Sequence, residues 1–189
     1  MKAIFQMILQ IGNHMNGGGF KGGAYGFKLD SLTKLKDTKS TDNKFTLVDF
    51  IARIVIEDNP SLQNLVEEVP QVSLATRVSM DLIKPRLASL KQGKELIENT
   101  LKNYESISDN DSFLSVMKPF FEKCSNMVDL VEKDFNRLEK EYKEFLRLWD
   151  EEEKTCEIQT IFQTIHEFTQ EFQRAKESYL AAKEKAEKE

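Results

Sequence analysis

Few residues in this chain have the types and spacing that chemistry needs. Gly17-x-Gly19-x-x-Gly22 has the form of the glycine fingerprint that lets backbone N–H groups approach a dinucleotide's pyrophosphate. That chemistry requires a strand before the glycines and a helix after them. Here further glycines follow and the flanking pattern is helical, so the stretch from Gly17 to Gly23 reads as a surface loop. No Gly-Lys-Ser/Thr occurs, which removes the lysine-bearing phosphate loop. His14 and His166 are the only histidines, and neither has a cysteine or carboxylate at a recognisable metal-ligand spacing. His166 follows an apolar helix position and reads as a surface residue. Cys124 falls on an apolar seam as a small buried hydrophobe, and Cys156 precedes the last helix. Carboxylate pairs such as Glu67-Glu68 and the run Glu151 to Glu153 read as solvated faces. No Ser/His/Asp or Cys/His constellation can be assembled. The expectation is no catalytic residue, no metal and no cofactor.

The elements behind these residues are helices. From Leu114, alternate steps of three and four give Leu114, Met117, Phe121, Cys124, Val128, Val131, Phe135, Leu138, Tyr142, Phe145 and Trp149, all apolar. A second series runs Ile158, Ile161, Ile165, Phe168, Phe172, Ala175, Tyr179, Ala182 and Ala186. Both are heptad helices. An earlier series, from Met80 through Leu87 to Tyr104, lapses only at Lys94 and contains Pro85, which either kinks the helix or marks its start. Pro119 is expected to bend the second helix. At 1.5 Å per residue, 114–149 would span about 54 Å and 158–186 about 42 Å. Helices of that length, with bulky aromatics on their seams, predict an elongated all-α bundle of three or more helices.

Breakers and caps set the boundaries. Asp109-Asn110-Asp111-Ser112 supplies a cap before Phe113, and Asp58-Asn59-Pro60-Ser61 ends one helix and begins another. Asp42 or Thr41 can cap a helix carrying Leu47, Ile51 and Ile54. Residues 2–11 form a short apolar helix and Leu29 to Leu35 another. The stretch at Val69-Pro70 reads as a linker. The division is therefore a head subdomain with a glycine-rich loop, 1–70, and a long-helix bundle, 71–189.

Composition bounds the partners. The 189 residues are 40% hydrophobic, enough for a folded domain, and no apolar run reaches the ~20 residues of a membrane helix. The start lacks the pattern of a secretory leader, and two cysteines make no disulfide framework, so a soluble protein in a reducing, cytoplasmic setting is expected. A net charge of −5 argues against nucleic acid. The charge is uneven: residues 1–44 hold seven lysines against three acids, leaving −9 for the rest. Seven of the eight glycines lie between Gly12 and Gly26. A basic, glycine-rich head on an acidic body is expected to meet something acidic. Tyr25 and Phe27, set among glycines and lysines, fit either a protein-binding surface or packing on the bundle end, and composition leaves both open.

The head closely resembles the formin homology 2 domain, most nearly its diaphanous-type branch. The matching elements are Gly12-Asn13-x-Met15-Asn16, the glycine loop, Gly26-Phe27-Lys28-Leu29, and Lys34-Leu35-x-Asp37-Thr38-Lys39-Ser40 followed by Asp42 and Lys44. Looser resemblance runs through Ala75-x-Arg77-Val78-Ser79, the Tyr142/Phe145 region and Phe162 to Ala175. Trp149-Asp150-Glu151 departs from the family, being more acidic than its usual aromatic-rich segment.

The resemblance implies the post and helical bundle of that domain, with the family's lasso, linker and knob expected before Met1. It implies a non-enzymatic actin-binding module that nucleates unbranched filaments and stays on the barbed end, as a homodimer in which each lasso wraps the other subunit's post. By motif match, Gly12, Asn13, Met15 and Asn16, with Gly26 and Phe27 nearby, would receive the lasso. Lys28, and by charge Lys34, Lys36 and Lys39, are candidate actin contacts. Profilin-actin and a Rho-type GTPase are implied partners through regions outside this chain, and the actin cytoskeleton is the implied location. The other class the heptads allow is a structural coiled-coil scaffold without actin activity.

Overall fold

Apolar periodicity and caps place eight α-helices among the described residues of the computed structural model, which are 1–17, 23–152 and 156–188. Gly18, Gly19, Phe20, Lys21 and Gly22, and Glu153 of the acidic run, lie outside them. The helices are α1 (Lys2–Met15), α2 (Ser31–Lys34), α3 (Leu47–Asp58), α4 (Leu65–Glu68), α5 (Val72–Ala75), α6 (Met80–Asn103), α7 (Phe113–Leu148) and α8 (Ile158–Ala186), with a 3-10 turn at Pro60–Leu62 between α3 and α4. The only strand-like pairing among the described residues is an isolated bridge between Lys39 and Thr46, so the fold is all-α.

Local chemistry moves three boundaries. Helix α1 continues past residue 11 to Met15, which puts Gly12, Asn13 and Met15 on its last turns. Helix α3 starts at Leu47 rather than after Asp42. Thr46 is its cap, accepting from the Asp49 N–H at 3.2 Å while Asp49 accepts from the Thr46 N–H at 2.7 Å. This reciprocal capping box satisfies two donors that a bare helix start leaves open. Asp42 instead closes the preceding turn, accepting from Ser40 Oγ at 2.6 Å and from the Lys44 N–H at 3.2 Å. Helix α6 begins at Met80, so Pro85 lies inside it and does not mark its start.

The chain divides into two compact units, Met1–Val78 with Leu146–Glu189, and Ser79–Phe145. Helix α8, which the heptad reading groups with the other long helices, packs on α2, α3, α4 and α5 of the first unit. Its core is built from Ile4, Ile51, Val55, Leu65 and Phe172, all inaccessible to solvent, with Leu32, Ile161 and Phe168 around them. Lys176 Nζ donates to the Gln63 carbonyl at 3.1 Å, and the Tyr179 hydroxyl donates to Glu57, fastening α8 to the segments it crosses.

The second unit contains α6 and the part of α7 up to Phe145. Lys84, Lys91 and Lys94 pair with Glu139, Glu132 and Asp129. Seven and then three residues forward on α6 meet seven and then three residues back on α7, which fixes an antiparallel register at heptad spacing. The connecting turn is held by Asp111, which accepts from the Phe113 N–H at 2.8 Å, the Ile107 N–H at 3.2 Å and the Tyr104 hydroxyl. The Tyr104 and Phe113 rings lie 4.3 Å apart.

Candidate functional site

The head motif is carried by the end of α1, the segment 23–30, α2 and the turn before α3. Along α1 the buried residues Ile4 and Ile8 share a face with Gly12 and Met15, at helical spacings of four, four and three. The stripe leaves the core at its C-terminal end, where Met15 is 56% exposed. Beside Met15 lies a hollow of about 120 Å³, lined by Met15, Thr38, Lys39, Ser40, Phe45, Thr46, Leu47 and Phe50. Phe45 and Phe50 are also largely exposed, so an apolar patch opens to solvent with Lys39 at its edge.

Two glycines near this patch differ in kind. A Cβ on Gly17 would lie 2.9 Å from the His14 carbonyl oxygen, so the tight exit of α1 requires glycine there. A Cβ on Gly12 would meet nothing within 4 Å. Glycine inside a helix costs about 1 kcal/mol relative to alanine, and none of the described residues around Gly12 offsets that cost.

Asn13 has both ends of its amide engaged, donating from Nδ2 to the Ala24 carbonyl and accepting the Ala24 N–H at Oδ1, each at 2.8 Å. Asn16 is exposed at the helix end. The two aromatic readings divide. Tyr25 stands fully in solvent, whereas Phe27 packs edge-on against Phe5 and Trp149, at centroid distances of 6.1 and 5.7 Å. Trp149 also meets Phe5 edge-on at 5.3 Å and so belongs to the same aromatic cluster. Asp150 takes a φ of 52°, a left-handed conformation that Asp tolerates better than most side chains.

The four candidate lysines are exposed but differ in partners. Lys28 Nζ reaches the Asp150 carbonyl at 3.5 Å and the Glu151 carboxylate at 4.0 Å. Lys34 pairs with Asp30 at 2.9 Å and Lys36 with Glu167 at 3.9 Å. Lys39 pairs with no carboxylate among the described residues, and its backbone is held by the bridge to Thr46. Among the described residues no group of three or more His, Cys, Asp or Glu side chains is placed to hold a metal. Cys156 is half-buried, and burial, then Glu151, raises its thiol above the ordinary range. Cys124 is half-buried too and faces the α6–α7 groove. No helix among the described residues is long and apolar enough to cross a membrane.

Sequence reasoning missed Phe45 and Phe50. The signal was present in Thr46-x-x-Asp49, which starts α3 at Leu47 and leaves Phe45 outside it.

Residues 1–173 match the family model of the Formin Homology 2 Domain. The chain belongs to the formin homology 2 family. It is 32% identical over 186 residues to Protein diaphanous of Drosophila melanogaster, covering 98% of this chain and 17% of that protein. Formin-like protein 3 of Homo sapiens is 34% identical over 187 residues, covering 99% of this chain and 17% of the relative. Formin-A of Dictyostelium discoideum is 34% identical over 155 residues, at 80% and 13%. The chain thus spans only 13–17% of the length of these formin relatives.

Proposed function

We propose that this formin homology 2 chain is the post and helical-bundle portion of an actin-assembly module, with residues 1–70 supplying the post and 71–189 the long helices of the bundle, of which α8 packs on the post helices α2, α3 and α4. It contributes to nucleation and processive barbed-end elongation of unbranched filaments by binding and orienting subunits, without enzymatic chemistry. Growth draws on the free energy of actin polymerisation. The parent protein acts in the cytoplasm, on the actin cytoskeleton, as a lasso–post homodimer. Profilin-actin and a Rho-type GTPase engage regions outside this chain.

The observation that carries the socket reading is the open side of Gly12. A helix glycine that its own fold does not need, beside an exposed apolar hollow, fits a site where a second polypeptide's backbone and aromatic side chains come close. Met15 and the Phe45/Phe50 patch supply its apolar wall. Lys39 is the cation best placed for an acidic partner, because among the described residues it pairs with no carboxylate, whereas Lys28, Lys34 and Lys36 each do. Rim charges of this kind act through steering and orientation.

The test is pyrene-actin assembly with the parent protein. Replacing Lys39 by Asp is expected to slow assembly severalfold with helicity unchanged, and replacing Lys28 by Asp less so. Inertness of the unsubstituted parent at micromolar concentration, or indifference to both substitutions, would support a coiled-coil scaffold instead. The 189 residues on their own are expected not to nucleate efficiently.

A further inference from the structure

Asn13, a socket candidate by motif, also holds the chain that carries Tyr25, an aromatic that neither the socket nor the lysine reading uses. The two 2.8 Å bonds between the Asn13 amide and the Ala24 backbone clamp the chain at Ala24. Three residues on, the Phe27 ring is wedged between Phe5 and Trp149. Tyr25 therefore sits between two fixed points, yet its own side chain is 103% exposed, with no hydrogen bond or ring contact to the described residues. Its neighbours are Ala24 and Gly26, and among the described residues a Cβ on Gly26 would meet nothing within 4 Å, so these leave the base of the ring clear for another surface to close around.

We propose that Tyr25 is an anchor residue that inserts into the acidic protein received by the basic head, and that Asn13 is the residue that positions it. The partner is actin, so the inference rests on the reading given above. Tyrosine suits this role: it brings a large apolar ring with few rotatable bonds and a hydroxyl that can find an acceptor. A backbone already ordered loses less freedom on binding than one that must first be fixed, and the clamp at Ala24 supplies that order in advance to the chain that carries the ring. Asn13 acts through the backbone of Ala24 and needs no contact with the partner.

The experiment measures binding of the 189-residue chain to fluorescently labelled monomeric actin by anisotropy at fixed ionic strength. Tyr25→Ala is expected to weaken binding roughly tenfold, and Tyr25→Phe, which keeps the ring, to stay within about twofold. Asn13→Ala is expected to weaken it by about three- to tenfold, with hydrogen exchange at the Ala24 amide accelerated and far-UV circular dichroism unchanged. The double variant should bind no more weakly than Tyr25→Ala alone, because the two act as one unit. Wild-type affinity in Tyr25→Ala overturns the anchor, since that side chain is too exposed for its removal to disturb the fold. Full additivity of the two losses overturns the positioning role. If the unsubstituted chain does not bind actin at all, the choice of partner fails, a different result from either.

Discussion

Along α8 the seam residues Ile158, Ile161, Ile165, Phe168, Phe172 and Ala175 are all buried. Along α7, in a series just as regular, Val128 and Tyr142 are buried, whereas Leu114, Met117, Phe121 and Cys124 are half-buried and Val131 is exposed. The difference lies in what surrounds each helix within its unit. Helix α8 packs on α2, α3, α4 and α5 of the first unit and also meets Phe5 of α1, and α3 brings Val48, Ile51, Ala52 and Val55. Helices α6 and α7 have each other, and between them runs an apolar groove of about 380 Å³ lined by Leu90, Ile97, Phe120, Phe121, Cys124 and Val131 among others. A two-helix hairpin has no third side from which to close a seam. A heptad repeat says which face is apolar; the number of neighbours says how dry that face becomes.

This contrast is most easily broken by truncating one seam residue from each region. Phe172→Ala removes a ring with no accessible surface and is expected to destabilise the first unit by about 3–5 kcal/mol. Val128→Ala, beside a groove already open, is expected to cost no more than about 1.5 kcal/mol. Urea unfolding followed by circular dichroism gives both values, and equal losses would show that the two seams are equally dry.

Smaller effects are expected at helix glycines. A Cβ on Gly93 of α6, like one on Gly12 of α1, would meet nothing within 4 Å. Gly12→Ala and Gly93→Ala should each raise stability by about 1 kcal/mol in thermal melts. Gly12→Ala should at the same time weaken assembly by the parent protein. A gain in stability with no loss of assembly would remove the socket from Gly12.

Smaller still is the contribution of the lysine–carboxylate ladder. Lys84, Lys91 and Lys94 pair at the surface, where such pairs contribute little and salt screens them. Lys91→Glu is expected to lower stability only slightly in dilute buffer, with the difference shrinking in 0.5 M salt. A salt-independent loss would mean that register rests on something other than charge.

The last test concerns pH. Hydrogen bonding to the Tyr179 hydroxyl, followed by Arg53, holds the Glu57 carboxyl below its ordinary range, and in the second unit the Tyr104 hydroxyl does the same for Asp111, helped by the Phe113 and Ile107 N–H groups. A lowered carboxyl stabilises the fold above its unfolded pKa, and that contribution disappears as the pH falls through the folded value. Both ties should therefore hold at neutral pH and weaken in acid, below about pH 4. In Tyr179→Phe the Glu57 carboxyl, followed by NMR, should titrate higher while Asp111 is unmoved. An unchanged Glu57 titration would show that the hydroxyl does not act on it.

The head motif shows how far spacing alone could reach. Gly12, Asn13 and Met15 were legible as a cluster, but their separate fates were not. One side of Gly12 is open, the Asn13 amide is spent on Ala24, and Met15 stands at the mouth of a hollow. Tyr25 and Phe27 are the same kind of residue two positions apart, and only the placement of Phe5 and Trp149 decides that one faces inward. Among the lysines, charge could not single out Lys39. Its three rivals are paired with Asp30, Glu151 and Glu167, and the last two of these are far away in sequence.

Period, caps and breakers are properties of neighbouring residues, so the sequence by itself determined the helices, the all-α class and the apolar face of each. The motif, being a spaced set of identities, carried the resemblance to the family. Burial and pairing belong to residues brought together from far along the chain. Only the tertiary structure decided that α8 lies with the head, that its seam is dry while the α6–α7 seam stays half wet, and which aromatic and which lysine remain open to a partner. The physical reason is that a local pattern specifies the direction a side chain faces, while the free energy of that side chain depends on what the rest of the chain places opposite it.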